Sequence, residues 1–187
     1  MTDTIKFFKE AIKTLKTSGT IMPSSSFLAK KMLQNIHFAS ADFIVELGPG
    51  NGAITKFILK KLHPKALLIC FEINNEFYKA LTKITHSQLI VINASAENLE
   101  EELHKLGVYE VNYIISSLPL TIIPEKITAA ILNQSYKLLK KNGTYNQYQY
   151  SLTYRKKLTA FFRDSISIKF ELLNFPPAFI YFCKKVR

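Results

Sequence analysis

Residues 42–52 read D-F-I-V-E-L-G-P-G-N-G, an apolar run, Phe43-Ile44-Val45, that passes through Glu46 into glycines at alternate positions, Gly48, Gly50 and Gly52. Such a run is a buried strand entering a loop with almost no side chains. Downstream, Ile54, Phe57, Ile58 and Leu62 recur at helical spacing with lysines between them, so residues 53–62 form a helix with one buried face. The unit is strand, glycine loop, helix. Glycine permits the positive φ of a tight turn and lets a ligand lie directly against the backbone.

The residues flanking the loop select the ligand. A dinucleotide site has the spacing G-x-G-x-x-G and turns a helix N-terminus towards a pyrophosphate. Here the spacing is G-x-G-x-G, and Glu46 stands two positions before the first glycine. A carboxylate there repels a pyrophosphate and suits a cation. S-adenosylmethionine carries a sulfonium and an ammonium, and E-x-G-x-G-x-G resembles the first motif of the methyltransferases that bind it. Twenty residues past Gly52, a second apolar run, Ala66-Leu67-Leu68-Ile69-Cys70-Phe71, ends in Glu72, where an acid accepts ribose hydroxyls. Alone, Glu46 reads equally as a surface carboxylate at a strand end, and Glu72 as a neighbour of a helix N-cap. Beside the glycines, the cofactor reading accounts for both.

The 187 residues are enough for one well-buried domain and too few for two of ordinary size. No apolar run reaches the roughly 18 to 20 residues that span a bilayer, and the lysines and acids among the first residues do not form a secretory signal. Cys70 and Cys183 make no disulfide framework, so a reduced, cytoplasmic protein is expected. The net charge of +11 predicts attraction to polyanions, either nucleic acid or an anionic lipid surface.

Along the chain, Ile5, Phe8, Ile12 and Leu15 share one helical face and Lys6, Lys9, Lys13 and Lys16 take the other. That pattern suits a helix lying in a membrane interface, and equally an amphipathic helix capping the sheet. Residues 1–18 are accordingly set apart as an N-terminal amphipathic segment, and residues 19–187 as the domain. Pro23-Ser24-Ser25-Ser26 offers a serine cap to a helix over 27–36. Strands at 66–71, 88–92 and 111–115 then alternate with helices at 75–84 and 96–106. Further on come a helix from Pro124 to Lys140 ended by Asn142-Gly143, a strand at 144–150, a helix over 152–162 and a strand pair, 166–173 and 178–183. This alternation predicts a Rossmann-like α/β sheet with helices on both faces, closed by a hairpin at its edge.

In an open α/β sheet the ligand lies beyond the carboxyl ends of the strands. The third strand is followed by Asn93-Ala94-Ser95-Ala96, where Ser95 and backbone groups would meet the adenine. The fourth is followed by Ser116-Ser117-Leu118-Pro119-Leu120, which faces the transferred methyl group unless Pro119 merely ends the strand. Enzymes that methylate base amino groups carry Asn or Asp, x, Pro and a stacking aromatic here. This chain has Ser117 and Leu120 at those positions.

Taken in order, G-T-I-M-P-S-S-S, E-L-G-P-G-N-G, F-E-I-N, S-S-L-P-L, Q-Y-Q-Y and N-F-P-P-A-F-I-Y resemble the bacterial phospholipid N-methyltransferases, which convert phosphatidylethanolamine to phosphatidylcholine. The likeness runs from about Gly19 to the C-terminus. It implies a seven-stranded S-adenosylmethionine-dependent enzyme that binds an anionic membrane at the inner face of the cell membrane through a basic N-terminal helix. It further implies cofactor contacts from Glu46, Gly48, Gly50, Asn51, Gly52, Glu72, Ile73, Ser95, Ala96 and Ser116, with no metal. Asn51 stands where that family has Thr, and Ala94-Ser95 where Gly-Asp is common. Ser116, Leu118 and Pro119 would adjoin the reacting amine. On the fifth strand Tyr148 and Tyr150 share a face opposite Gln147 and Gln149, so their rings either hold a methylated ammonium by cation–π attraction or pack beneath a helix. Two rivals remain at this point: an rRNA adenine dimethyltransferase, and a non-catalytic membrane-binding protein with the same fold.

Overall fold

The computed structural model describes residues 25–163 and 165–186. Seven strands form one sheet: β1 (Phe43–Leu47), β2 (Leu67–Phe71), β3 (Leu89–Ile92), β4 (Val111–Ser116), β5 (Leu139–Gln149), β6 (Ile166–Glu171) and β7 (Ala178–Lys184). Their order is β3-β2-β1-β4-β5-β7-β6. The first five run parallel, and β7 lies antiparallel to both β5 and β6. Among the described residues six α-helices accompany them: α1 (Ser26–Met32), α2 (Ala53–Leu59), α3 (Asn75–Leu81), α4 (Leu99–Lys105), α5 (Glu125–Leu138) and α6 (Arg155–Phe162). The Rossmann-like seven-stranded α/β sheet is therefore present. The amphipathic helix read at 4–16 lies outside the described residues.

Strand periodicity sorts the core into two layers, because successive side chains point to opposite faces. On one face Ile44, Leu68, Cys70, Ile115 and Ile180 pack against Leu28, Ala29, Met32, Ile54 and Ile58 of α1 and α2. On the other, Val45, Ile69, Ile114, Tyr145 and Tyr181 meet Leu99, Leu103, Ile131, Leu132, Leu158 and Phe162 of α4, α5 and α6. Each fully buried side chain of this size contributes about 1.5–3 kcal/mol. Both cysteines are buried free thiols, Cys70 in the first layer and Cys183 in the second. Burial pushes both thiols up, and the neighbouring Glu46 carboxyl adds to this at Cys70.

Caps set the helix starts. The Ser25 hydroxyl accepts a hydrogen bond from the Leu28 amide at 3.1 Å, and the Asn74 side chain accepts from Glu76 and Phe77.

Several boundaries differ from the sequence reading. Residues 96–106 split into a short 3-10 turn, Ala96–Asn98, and α4. Helix α5 stops at Leu138, because Leu139 is already extended and pairs with Val111 of β4. Asn142-Gly143 therefore lies inside β5 and terminates nothing. Asn142 takes φ +67°, and a side chain at Gly143 would meet the Asn112 carbonyl at 2.7 Å, so the pair lets β5 bend closely past β4. Lys185 closes the helix end, donating to the carbonyls of Lys137 and Leu139 at 2.9 and 2.7 Å. Strand β6 ends at Glu171 rather than Leu173, since the Leu173 amide turns back to the Glu171 carboxylate at 2.9 Å.

Candidate active site

From β1 the chain moves outward through β2 and β3, then returns to the other side of β1 with β4. That reversal opens a crevice beyond the carboxyl ends of β1 and β4. Its floor is the loop Gly48–Gly52, and the three glycines have distinct duties. All have positive φ: +66°, +56° and +77°. A Cβ on Gly48 would lie 2.8 Å from the Leu118 side chain, and one on Gly52 would lie 3.1 Å from Leu81, so these two admit close packing. At Gly50 a Cβ would have nothing within 4 Å. The middle glycine faces the open crevice, and a ligand can lie on it.

Neighbouring loops converge on this floor. The Gly48 amide donates to the Phe71 carbonyl at 2.9 Å, and the Glu72 amide to the Ile92 carbonyl at 3.0 Å, tying the ends of β1, β2 and β3 together. Glu72 is 3% exposed. One of its carboxylate oxygens accepts from the Gly50 amide at 2.9 Å and the other from the Asn74 amide at 2.8 Å. Ile73 follows, half-buried, and Asn93 donates to the Glu72 carbonyl at 2.8 Å. Ser95 and Ala96 are buried at the third loop, where the Ser95 hydroxyl caps the 3-10 turn. Asn51 is exposed on the rim, its side chain accepting from the Ala53 amide at 3.2 Å.

Glu46 is fully buried beneath the loop, which rules out its reading as a surface carboxylate. One oxygen accepts the Thr55 hydroxyl at 2.7 Å and the Cys70 thiol at 3.6 Å. No donor among the described residues reaches the other oxygen. Burial, against the lowering effect of the Thr55 and Cys70 hydrogen bonds, pushes its carboxyl up to about 7. Thr55 and Cys70 were not singled out from sequence. Cys70 is the register partner of Glu46 across β1 and β2, and Thr55 sits in the first turn of α2.

Across the crevice, Ser116 is buried at the end of β4, its hydroxyl accepting from the Leu118 amide at 3.4 Å. The Leu118 carbonyl is saturated: it accepts from the Leu120 amide at 2.9 Å and from Gln147 and Gln149 at 3.0 and 3.3 Å. Leu118 is buried, Pro119 half-buried and Leu120 only 1% exposed, so Leu120 offers no platform to a stacked base by position as well as by chemistry. Tyr148 and Tyr150 project from the opposite face of β5 to the glutamines, as alternation requires, with ring centroids 5.8 Å apart and edge-to-face. Tyr148 also packs against the layer formed by α1 and α2, while Tyr150 is 38% exposed. The glutamines that fix the β4 loop were missed as site residues. Alternation sets them on the face opposite the tyrosines, but does not say which face meets that loop.

The crevice fits S-adenosylmethionine on three counts: a floor that a Cβ would fill, a buried acid at the end of β2, and a buried carboxyl with one oxygen lacking a donor among the described residues. Solved structures agree on the fold. A 1,6-didemethyltoxoflavin-N1-methyltransferase from Burkholderia thailandensis, determined with S-adenosylhomocysteine bound, superimposes with a TM-score of 0.71 at 10% identity, over 97% of this chain and 88% of that one. An rRNA-methylase structure from Clostridium thermocellum gives 0.59 at 16% identity, over 78% and 87%. No protein-family model matches the chain. The fold is that of the class I S-adenosylmethionine-dependent methyltransferases, and the comparisons support a methyltransferase that uses this cofactor.

Within that class the chain is similar along nearly its whole length to the ornithine lipid N-methyltransferase of Singulisphaera acidiphila, at 29% identity over 185 residues, 97% of this chain and 94% of the relative. The ribosomal RNA small subunit methyltransferase A of Hydrogenobaculum sp. is also 29% identical, but over 129 residues, 69% of this chain and 48% of that protein.

Proposed function

We propose that this protein methylates the primary amine of a membrane lipid, either phosphatidylethanolamine or an ornithine-type lipid, at an anionic membrane surface. The observation that carries this reading is the end-to-end similarity to a lipid N-methyltransferase, set against partial coverage of the RNA enzymes. The buried Leu120 supports it, since a nucleobase finds no stacking partner there.

When bound, S-adenosylmethionine supplies an electrophilic methyl group on its sulfonium. The protein has to hold cofactor and amine in line and to favour the unprotonated amine. Gly48, Gly50 and Gly52 form the cradle, with Asn51 at its rim. Glu72 would accept the ribose hydroxyls, and Ile73, Ser95 and Ala96 would border the adenine. Glu46, buried beneath the loop, would favour the cofactor's positive charge through its carboxylate. Ser116, Leu118 and Pro119 form the wall facing the amine, and the glutamine-held Leu118 carbonyl keeps that wall in place. A low-dielectric wall disfavours the ammonium and so favours the nucleophilic free base. Tyr148 and Tyr150 hold the methylated product cation against their ring faces. Residues 4–16 attach the protein to anionic lipid, their lysines contributing roughly 1 kcal/mol each near the surface.

The test incubates the full chain with radiolabelled S-adenosylmethionine and, separately, phosphatidylethanolamine vesicles, ornithine-lipid vesicles and rRNA. Label in either lipid supports the reading and names the headgroup. Label in RNA alone overturns it in favour of a base methyltransferase. Absence of heat on titrating S-adenosylmethionine would favour a non-catalytic membrane protein.

A further inference from the structure

Of the four most exposed large hydrophobic side chains among the described residues, all but Tyr109 gather at one place, the loop 172–177 between β6 and β7. Leu172 is 68% exposed, Leu173 62% and Phe175 77%. Because β7 runs antiparallel to β5, this loop sits at the carboxyl end of β5, the same end of the sheet as the crevice. Its polar members face inward. Asn174 is buried, accepts from the Ser25 amide at 3.2 Å and donates to the Pro176 carbonyl at 2.8 Å. Glu171 is buried too, paired with Lys31 at 3.2 Å and bonded by the Leu173 amide. Pro176 and Pro177 have no amide hydrogen to satisfy. The loop is thus an apolar tip whose polar side chains are bonded inward, which lowers the cost of entering a hydrocarbon boundary.

We infer that the loop 172–177 is a second membrane contact, inserting Leu172, Leu173 and Phe175 into an anionic bilayer so that the crevice opens onto the lipid headgroups. This rests on the lipid reading above and names the surface that delivers the substrate. Charge points to the same occupant: residues 150–178 carry five basic residues, Arg155, Lys156, Lys157, Arg163 and Lys169, against Asp164 and Glu171. The lysine-rich residues 1–24 join the described chain at Ser25, the residue bonded to Asn174. The proposed N-terminal membrane segment is therefore joined to the domain beside this loop. Tyr150, in edge contact with Tyr148, lies close to the Asn174 side chain of the loop.

The sequence has no tryptophan, so Phe175→Trp in the full chain gives a single fluorophore at the tip. In buffer its emission should be that of a solvent-exposed indole. Vesicles of phosphatidylcholine with phosphatidylglycerol should shift it to the blue, and brominated acyl chains should quench it. Emission already blue-shifted in buffer and insensitive to brominated lipid would overturn the inference, meaning that residues 1–24 or a second copy cover the tip; sedimentation then tells these apart. As a second arm, the variant with Leu172, Leu173 and Phe175 all changed to Ser should lose about a hundredfold in vesicle affinity, from forgone partial burial of three side chains. Its activity on a short-chain, water-soluble aminolipid should be unchanged. Undiminished vesicle binding by that variant also overturns the inference. Failure of the unaltered protein to methylate any lipid amine, short-chain or bilayer, would instead overturn the functional reading on which it stands.

Discussion

The two walls of the crevice are built from different material. Around Gly48–Gly52 the surface offered to the proposed cofactor is backbone, with Glu72 bonded to the Gly50 amide beside it and the buried Glu46 below. On the proposed acceptor side the material is side chain, on both faces of β5: the buried aliphatic groups of Leu118 and Leu120 with a carbonyl clamped by glutamines on one face, and the rings of Tyr148 and Tyr150 in edge contact on the other. A backbone wall suits a ligand that is always the same, because main-chain geometry does not vary with side-chain substitution. A side-chain wall suits whatever acceptor a particular enzyme has to take.

The sharpest way to break this division is at the floor. Gly50→Val would place a β-branched residue at φ +56° and fill the space the ligand needs, so cofactor affinity should fall by more than about a hundredfold with an unchanged far-UV spectrum. Calorimetry with S-adenosylmethionine checks it, and retained binding would mean the cofactor lies elsewhere.

The next largest effect is on stability. Glu46 has a folded-state carboxyl raised from 4.5 to about 7, so below pH 4.5 it is protonated in both states and costs nothing. As the pH rises towards 7 the unfolded chain releases its proton first, and stability falls by on the order of 3 kcal/mol before levelling. Glu46→Gln removes that slope. Urea unfolding of both proteins at pH 5 and pH 8 measures it, and parallel changes in the two would show that Glu46 does not hold the proton.

Glu72→Ala should weaken cofactor binding by about 1–3 kcal/mol, through loss of charge-assisted hydrogen bonds. Unaltered affinity in a folded variant would remove Glu72 from the site. On the side-chain wall, Gln149→Ala takes one donor from the Leu118 carbonyl and should cost only about 1 kcal/mol of stability. Turnover on the lipid amine should fall while cofactor affinity holds. A loss in cofactor affinity of the same size would show that the two walls are not independent.

The same division explains what could be read from residues alone. The backbone wall is legible because positive φ admits few residue types, and G-x-G-x-G announces it without any knowledge of the partner strands. Glu72 is legible because it ends an apolar run. The side-chain wall depends on contacts between distant residues: Gln147 and Gln149 reach Leu118 across 29 and 31 positions of sequence. Nothing local in Q-Y-Q-Y marks the glutamines as the fixing groups and not the tyrosines. Asn142-Gly143 misled for a related reason, as a pair that commonly stops a helix serves here as a bend in a strand pressed against β4.

The two buried thiols make this molecule its own opening meter. Cys70 lies in β2 beneath the backbone wall and Cys183 in β7 beyond the side-chain wall, and in the closed fold both are shielded from alkylating reagents and held in the unreactive thiol form. Modification at either position then has to wait for that part of the sheet to come apart. Timing the two alkylations would show whether the cofactor side breathes separately from the acceptor side, and whether cofactor quiets one of them or both.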